Sequence, residues 1–346
     1  MTTIALCGAG RIAMVHAAAA LRLGHELVAV ASRTPERAAT FAAMFSTPTC
    51  STTAVGYGEL PHGAEITIVA TPPQCHTADA LRLLQAGAAV LLEKPLCRTM
   101  AEADELVEAA ARHRGRLLYG ENLAYAPVVQ RMIGLTPRVG ALTHLEVRAL
   151  QGLPTWGEFT SDEWGGGALL DLGAHPLAVA LLVANAGGEG RPIAVSASLR
   201  GGAGHGADEH AEVSLHYRSG LVGRVVASWQ GEPEPVWDAQ VAGATGVVRA
   251  EVLPTPQLEL NGTEVAMPVA TGELATIANL GYEAQLQALV DDIGAGREPT
   301  MSARFGREVL QVTLAAYASA GRGGAAVKLP FAGPRDLTPL QVWRGN

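Results

Sequence analysis

Lys94 is the residue of this sequence whose type and position most directly suggest chemistry. It is one of two lysines among 25 basic residues, and it follows an apolar run in the tetrapeptide Leu92-Glu93-Lys94-Pro95. An ammonium group is a compact donor whose pKa can be lowered by its surroundings, which a guanidinium does not offer. The following proline holds Lys94 extended or joins it through a cis bond, and either arrangement fixes its direction. We expect a directed, functional lysine; the alternative is an ordinary surface lysine.

Asp171 and His175 form a second group that could handle protons. They lie four residues apart in an apolar run that predicts one helix from Ala168 to about Leu182. Residues i and i+4 share a helix face, where a carboxylate and an imidazole need partners. Two interpretations stand equally: an acid–base pair in which Asp171 orients and charges His175, or a structural pair at a helix start. Pro176 predicts a kink at His175.

A glycine-rich turn near the N-terminus predicts a dinucleotide site. The sequence Gly8-Ala9-Gly10-Arg11-Ile12-Ala13 has the form G-x-G-x-x-A, between a predicted strand and a predicted helix. The first glycine permits the tight turn, and the second lets the backbone approach a pyrophosphate. The helix N-terminus then offers N–H groups and the positive end of its dipole. Because the turn also begins a series of βα units, we interpret it as an NAD(P) site.

The end of the second strand favours NADP(H) over NAD(H). An NAD site needs a carboxylate there for the ribose hydroxyls. This chain has Ser32 and Arg33, with Arg37 one turn into the next helix. A hydroxyl and two guanidinium groups suit a 2′-phosphate. The alternative is that both arginines are ordinary surface residues, in which case NAD remains possible.

The order of elements predicts two domains and a tail. Over residues 1–122, short apolar runs alternate with helical patterns, which is typical of a doubly wound parallel sheet in an α/β Rossmann domain. Over residues 123–330, a succession of strands with a few helices predicts an α+β domain with a mostly antiparallel sheet. Residues 331–346 are expected to form an extended C-terminal arm of unknown contacts.

Composition excludes several classes of function. The net charge of −8, with no basic run, disfavours nucleic acid, and no apolar stretch approaches the 18 residues of a membrane span. The N-terminus predicts a strand and lacks the features of a signal peptide. Cys7, Cys50, Cys75 and Cys97 form no C-x-x-C pair, so we expect reduced thiols in the cytoplasm, without a disulfide framework or zinc. His205, Asp208, Glu209 and His210 are interpreted as a solvated loop and no metal site is expected there.

Together these motifs resemble the Gfo/Idh/MocA family of oxidoreductases over about residues 3–330. The resemblance is carried by G-x-G-x-x-A, Thr71-Pro72-Pro73 followed by His76, Glu93-Lys94-Pro95, the segment G-G-G-x-L-x-D-x-G-x-H of residues 165–175, and Val327–Pro330. It implies that Lys94, Asp171 and His175 are catalytic. It also implies that the Thr71–Pro73 segment borders the nicotinamide ribose, and we include His76, Glu93 and Lys94 among the cofactor-binding residues. The C-terminal domain would present an open sheet to a partner subunit, giving a homodimer or homotetramer.

The same resemblance implies hydride transfer between nicotinamide C4 and a secondary alcohol or ketone of a sugar, cyclitol or related polyol. Trp156 and Trp164 lie in the loop before the helix of Asp171 and are candidates for the substrate pocket, with loop packing as the alternative. Asn122 and Tyr125, at the predicted domain junction, are weaker candidates. Two rival functions are a non-catalytic ligand sensor, which would have no reason to keep Lys94, Asp171 and His175, and a redox-neutral NAD-dependent glycosidase.

Overall fold

The structure is a computed structural model, and it describes residues 1–46, 51–201, 206–231 and 234–345. Cys50 and His205 lie outside these residues. The helices are α1 (Arg11–Arg22), α2 (Pro35–Phe45), α3 (Pro73–Gln85), α4 (Met100–Arg112), α5 (Pro127–Leu135), α6 (Ala168–Asp171), α7 (Ala174–Ala186), α8 (Ala275–Asn279), α9 (Tyr282–Gly294), α10 (Ala303–Ala320) and α11 (Pro339–Arg344). Among the residues described, no helix is long and apolar enough to cross a membrane.

Strands outnumber helices in the described residues. They are β1 (Thr3–Cys7), β2 (Glu26–Ala31), β3 (Thr53–Val55), β4 (Ile66–Val69), β5 (Ala89–Glu93), β6 (Leu117–Gly120), β7 (Leu142–Leu150), β8 (Ala194–Gly201), β9 (Asp208–His216), β10 (Val222–Ser228), β11 (Val236–Gly243), β12 (Gly246–Leu253), β13 (Gln257–Leu260), β14 (Thr263–Glu264) and β15 (Val327–Lys328). They form two sheets, and the chain divides into two compact units.

The first unit contains residues 1–97, 101–122 and 276–307. Its sheet has the strand order β3-β2-β1-β4-β5-β6 with every pairing parallel. This is the order of a dinucleotide-binding Rossmann fold. The strands β4 and β5 are buried along their whole length, as expected of parallel strands that helices cover on both faces. The predicted parallel, doubly wound sheet is confirmed.

Residues 276–307 pack within this first unit, whereas the sequence placed them in the domain of residues 123–330. The Tyr282 ring of α9 meets the His16 ring of α1 edge-on, with 5.3 Å between ring centroids. Asn122 Nδ2 donates to the Leu280 carbonyl over 2.8 Å. The β6 strand also bonds to this segment, since Tyr119 N donates to the Met301 carbonyl. These contacts are distant in sequence, so local patterns gave no sign of them.

The second unit contains residues 98–100, 123–275 and 308–346. Its sheet has the order β14-β13-β12-β11-β7-β10-β9-β8-β15, mostly antiparallel with β7 and β10 parallel, which confirms the prediction. In β7, the side chains of Leu145, Val147 and Ala149 are buried on one face. The alternating residues His144, Glu146 and Arg148 point to the other face, as the period of a strand requires.

The tail of residues 331–346 is not simply extended, because it ends in helix α11. Thr338 caps this helix: its hydroxyl accepts from Gln341 N, and the Gln341 side chain accepts from Thr338 N. Leu340 is 1% exposed, and its N–H donates to the Gly165 carbonyl over 2.9 Å. Arg344 pairs with Asp162 at 2.9 Å. The tail therefore packs against the loop that precedes α6.

The predicted single helix from Ala168 to Leu182 is wrong, because the chain forms α6 and α7 with a break at Leu172 and Gly173. Pro176 is the third residue of α7, not an interior residue of a longer helix. The first N–H groups of a helix have no partner within it, so a proline is tolerated there. Asp171 and His175 consequently belong to different helices, and the argument from spacing on one helical face does not apply to them.

Candidate active site

The glycine turn after β1 leaves room for a phosphate group. Gly8 has φ +118°, and a Cβ there would lie 2.6 Å from the Ala70 carbonyl oxygen, so only glycine fits. A Cβ on Gly10 would meet nothing within 4 Å. Gly10 precedes α1 without a side-chain cap, and the first turn of α1 carries no acidic residue. Arg11 and Ile12 begin this helix. The backbone donors of the turn therefore fit an anionic pyrophosphate.

The residues predicted to select the cofactor lie just after β2. Arg33 and Arg37 are exposed, and within the described residues neither guanidinium forms an ion pair. Ser32 Oγ accepts from Thr34 N over 3.3 Å, which orders the turn. Tyr57 also lies close to the Arg33 backbone N–H, which the sequence did not suggest. Burial, followed by nearby acidic groups, raises the pKa of Tyr57 to about 12, so its hydroxyl stays neutral.

His76 lies in the interior of the first unit rather than at its surface. It is 1% exposed, and its ring nitrogens lie 2.8 Å from the carbonyl oxygens of Pro95 and Thr71. Burial lowers its pKa against the raising effect of these bonds. The ring joins the turn after β4, at Thr71 and Pro72, to the segment after β5. The Thr71 hydroxyl in turn donates to Asp79 over 3.0 Å. Any contribution of His76 to cofactor binding stays a prediction.

Lys94 directly follows β5 and is held through its neighbour Glu93. The Glu93 carboxylate is 6% exposed; its Oε1 accepts from His16 Nε2 at 2.7 Å and its Oε2 accepts from Lys94 N at 3.0 Å. Burial by itself would raise the pKa of Glu93, but the His16 bond and the Lys94 charge bring it below its ordinary value. The carboxylate is therefore ionised. The Lys94–Pro95 bond is cis, which is the less common of the two expected arrangements.

In the second unit, His175 is packed against an aromatic ring. It is 6% exposed, and its ring centroid lies 5.2 Å from that of Trp237 on β11, with 34° between the planes. Asp171 is the last residue of α6 and remains partly exposed. Trp237 also lines a small pocket together with Pro176, Arg148 and Asp238. Trp237 was missed because nothing in the sequence relates β11 to His175.

Asp208 was interpreted as part of a solvated loop, and this is wrong. It begins β9 and is fully buried. Its Oδ2 accepts from Leu169 N over 2.8 Å, and the Tyr317 hydroxyl donates to its Oδ1 while accepting from Gly167 N at 3.1 Å. A Cβ on Gly167 would lie 2.2 Å from the Asp208 carbonyl oxygen, so the glycine is needed for this approach. Asp208 thus holds the start of α6, the helix that carries Asp171. Burial, opposed by these bonds, raises the pKa of Asp208 to about 6.

Glu209 and His210, which follow Asp208 in the sequence, do not form a shared site with it. Glu209 bonds to Gln230, and His210 lies 3.0 Å from Ser228 Oγ and 3.3 Å from Glu212 Oε1. Within the ranges that the structure describes, no three His, Cys, Asp or Glu side chains are arranged to hold a metal ion.

The substrate candidates divide between the two units. Trp156 is 37% exposed, and both it and Trp164 meet Phe159 edge-on, with centroids 4.8 and 4.7 Å away. This aromatic cluster belongs to the second unit, as does Tyr125, which is half-buried. Asn122 belongs to the first unit and is 2% exposed, and its side-chain amide donates to the Leu280 carbonyl.

Comparison with known proteins decides the family. A family model described as "Oxidoreductase family, NAD-binding Rossmann fold" matches residues 2–121, and the GFO/IDH/MocA C-terminal domain matches residues 136–249. The chain belongs to the Gfo/Idh/MocA family of oxidoreductases. The prediction from the motifs is confirmed, including the NAD-binding Rossmann domain.

Several members of the Gfo/Idh/MocA family are similar along most of the chain. The dTDP-3,4-didehydro-2,6-dideoxy-alpha-D-glucose 3-reductase of Saccharopolyspora spinosa is 31% identical over 79% of this chain and 90% of its own length. The trans-1,2-dihydrobenzene-1,2-diol dehydrogenase of Xenopus laevis is 30% identical over 81% and 86%. Among solved structures, GenD2 from gentamicin A biosynthesis, in complex with NAD, has a TM-score of 0.81 at 25% identity, covering 95% of this chain and 96% of GenD2.

Removal of the Tyr317 hydroxyl tests the buried network around Asp208. Tyr317→Phe leaves one Asp208 oxygen and the Gly167 N–H without this partner, so we expect a loss of about 2–3 kcal/mol in unfolding free energy. All five tryptophans lie in the second unit, so urea unfolding followed by their fluorescence reports on that unit.

Tyr217→Phe is the matched control. The Tyr217 hydroxyl is buried and has no hydrogen-bond partner among the described residues. Its removal should change stability by less than about 0.5 kcal/mol. Equal losses in the two variants would contradict the role assigned to Tyr317.

Proposed function

We propose that this family member is an NADP(H)-preferring oxidoreductase that transfers a hydride between nicotinamide C4 and a secondary alcohol, or its ketone, in a sugar, cyclitol or related polyol. One observation carries the proposal. Lys94 and the cofactor turn at Gly8 and Gly10 both follow carboxyl ends of strands in the same parallel sheet, the edge at which open α/β sheets bind their ligands.

The residues of the first unit fit a dinucleotide. The turn at Gly8 and Gly10 offers space and donors for the pyrophosphate, while Ser32, Arg33 and Arg37 offer a hydroxyl and two exposed guanidinium groups for a 2′-phosphate. When bound, the nicotinamide supplies the hydride acceptor or donor. By family resemblance, Thr71 and Pro72 border its ribose.

The proton chemistry is assigned to three side chains. Lys94 would hydrogen-bond the reacting oxygen and stabilise negative charge that develops on it. His175 would exchange the hydroxyl proton, and Asp171 would orient either the hydroxyl or the imidazole. The alternative in which Lys94 itself carries the proton uses the same residues. The assignment is supported by the family resemblance, by the fixed backbone of Lys94, and by the packing of His175 on Trp237.

The relatives support a six-membered ring that bears the reacting oxygen. One is named for a dideoxyglucose derivative and another for a dihydrobenzene diol. Both substrates combine an apolar ring face with polar groups. The aromatic cluster of Trp156, Phe159 and Trp164 and the partly exposed Asp171 are suited to these two features.

We further propose a cytoplasmic homodimer or homotetramer that assembles through the second sheet. The face of this sheet opposite α5 and α7 carries charges of both signs, including the Arg148–Asp238 pair and the contacts of Arg224 with Glu146 and Glu212. A surface with both signs of charge suits pairing with a second copy of itself.

Cofactor preference is tested by Arg33→Ala/Arg37→Ala. Titration of cofactor fluorescence should show tighter binding of NADPH than NADH by the unaltered protein, and a loss of about 10- to 100-fold in NADPH affinity in the variant, because charge-assisted bonds to the phosphate disappear. NADH affinity should stay within about threefold. Arg218→Ala, an exposed arginine of the second unit, is the control. Tighter NADH binding by the unaltered protein would overturn the NADP preference.

The role of Lys94 is tested against the other lysine of the chain. Lys94→Ala should lower kcat by about 100- to 10,000-fold, because a group acting on the reacting oxygen is lost, while cofactor affinity changes by less than about threefold. Lys328→Ala removes an exposed lysine and should leave both unchanged. Steady-state turnover and cofactor titration measure the two quantities. Turnover of the Lys94 variant equal to that of the Lys328 variant would sink the assignment.

A further inference from the structure

His16 is a buried titratable residue that the proposed reaction does not use. It lies on α1, the helix whose N-terminus forms the cofactor turn, and it is fully buried. From there its ring reaches the sheet, where Nε2 lies 2.7 Å from Oε1 of Glu93, the last residue of β5. An imidazole on the buried face of a helix in such contact with an ionised carboxylate requires an explanation.

The geometry fixes the proton of this pair. The ionised carboxylate only accepts hydrogen bonds, so His16 Nε2 carries the proton and donates it. Nδ1 of His16 is buried and has no hydrogen-bond partner among the residues described. The ring therefore makes its hydrogen bond through Nε2 alone. The ring then has a single polar function, which is to hold Glu93.

The second Glu93 oxygen passes this restraint on to Lys94. Oε2 accepts from the Lys94 backbone N–H over 3.0 Å, so the carboxylate bridges the His16 ring and the backbone from which the Lys94 side chain extends. The carbonyl of the next residue, Pro95, is held by His76. The backbone on both sides of Lys94 is thus fixed by buried side chains.

The groups that face Glu93 from the surrounding elements are His16 of α1, His76 of α3, Tyr119 of β6 and Tyr282 of α9, with Lys94 beside it. Burial raises the pKa of both tyrosines well above the ordinary value and lowers that of His76. The two tyrosines therefore stay neutral. Stabilising the carboxylate is left to the donors of His16 and Lys94.

We propose that His16 is a positioning residue for Lys94: by donating to Glu93 it orients the carboxylate that holds the Lys94 backbone, and so directs the ammonium toward the reacting oxygen. The proposal rests on the function proposed for Lys94. It gives α1 a second role, since the helix that begins at the cofactor turn would also brace the strand end that carries the lysine.

The test compares three substitutions. His16→Leu removes the donor, and His16→Gln places an amide N–H close to the position of Nε2. His16→Asn is as polar as glutamine, but its amide is too short to reach Glu93. We expect kcat to fall about 10- to 100-fold in His16→Leu and His16→Asn, as for a small displacement of a reacting group. We expect kcat within about threefold of the unaltered value in His16→Gln, and cofactor affinity within about threefold in all three.

A second readout does not depend on turnover. Because the chain has only two lysines, acetic anhydride labelling quantified by mass spectrometry gives the reactivity of Lys94 relative to the exposed Lys328. This ratio at pH 8 should change by at least about threefold in His16→Leu and His16→Asn, and not in His16→Gln, because the position or charge environment of the ammonium changes. If His16→Leu does not fold, the asparagine and glutamine variants decide the question.

Two outcomes would overturn the proposal. One is an unchanged labelling ratio in both variants that lack the donor. The other is an equal loss of kcat, cofactor affinity and thermal stability in all three variants, which a purely structural histidine would give. If the unaltered protein turns over no polyol or ketone, the proposed function fails, and the labelling ratio alone then supports or overturns the positioning role.

Discussion

Each unit of this protein is organised around a carboxylate that folding has removed from water. A buried carboxylate is unfavourable unless donors surround it, so the elements that supply those donors must be held in place. In the first unit this residue is Glu93, bound by His16 and by the N–H of Lys94. In the second it is Asp208, bound by Leu169 N and Tyr317. Each therefore fixes a segment that carries a residue with a proposed role in catalysis.

The two carboxylates differ in how far their hydrogen bonds and neighbouring charges offset the effect of burial. The surroundings of Glu93 bring its pKa below the ordinary value, whereas burial of Asp208 outweighs its hydrogen bonds and raises its pKa to about 6. Because the folded pKa of Asp208 lies above that of the unfolded chain, its contribution to stability is fully present at low pH and is lost as the pH rises through about 6. The unfavourable burial of the Asp208 carboxylate therefore occurs where its hydrogen bonds fix the start of α6.

Much of the first unit was predictable because its signals are local. The strand β1, the glycine turn and α1 follow one another within 22 residues, and each step has a residue requirement that the sequence displays. The start of α2 and the length of β7 have local signals too, since Pro35 opens the helix and the apolar residues of β7 alternate along the strand. The family followed from motifs of the same local kind.

What the sequence did not reveal depends on contacts between distant segments. Residues 276–307 join the first unit through pairings such as Asn122 with Leu280. Asp208 appeared to belong to a polar loop because Tyr317, its partner, is 109 residues away. The break between α6 and α7 had a local sign in Gly173 and Pro176, but the uniform apolar character of the run concealed it. Nothing in the sequence indicated the contact of His16 with Glu93, since a histidine within an alanine-rich helix predicts neither burial nor a partner.

The most direct test of the proposed function is whether this protein moves a hydride to a ring carbon. NADPH deuterated at one face of C4 would be incubated with the protein and a panel of ketones derived from nucleotide-linked hexoses, inositols and cyclic diols, and the products examined by mass spectrometry and NMR. We expect one deuterium on a secondary carbon of one product class, delivered from a single cofactor face and absent with Lys94→Ala. Cofactor binding without deuterium transfer to any member of the panel would contradict it.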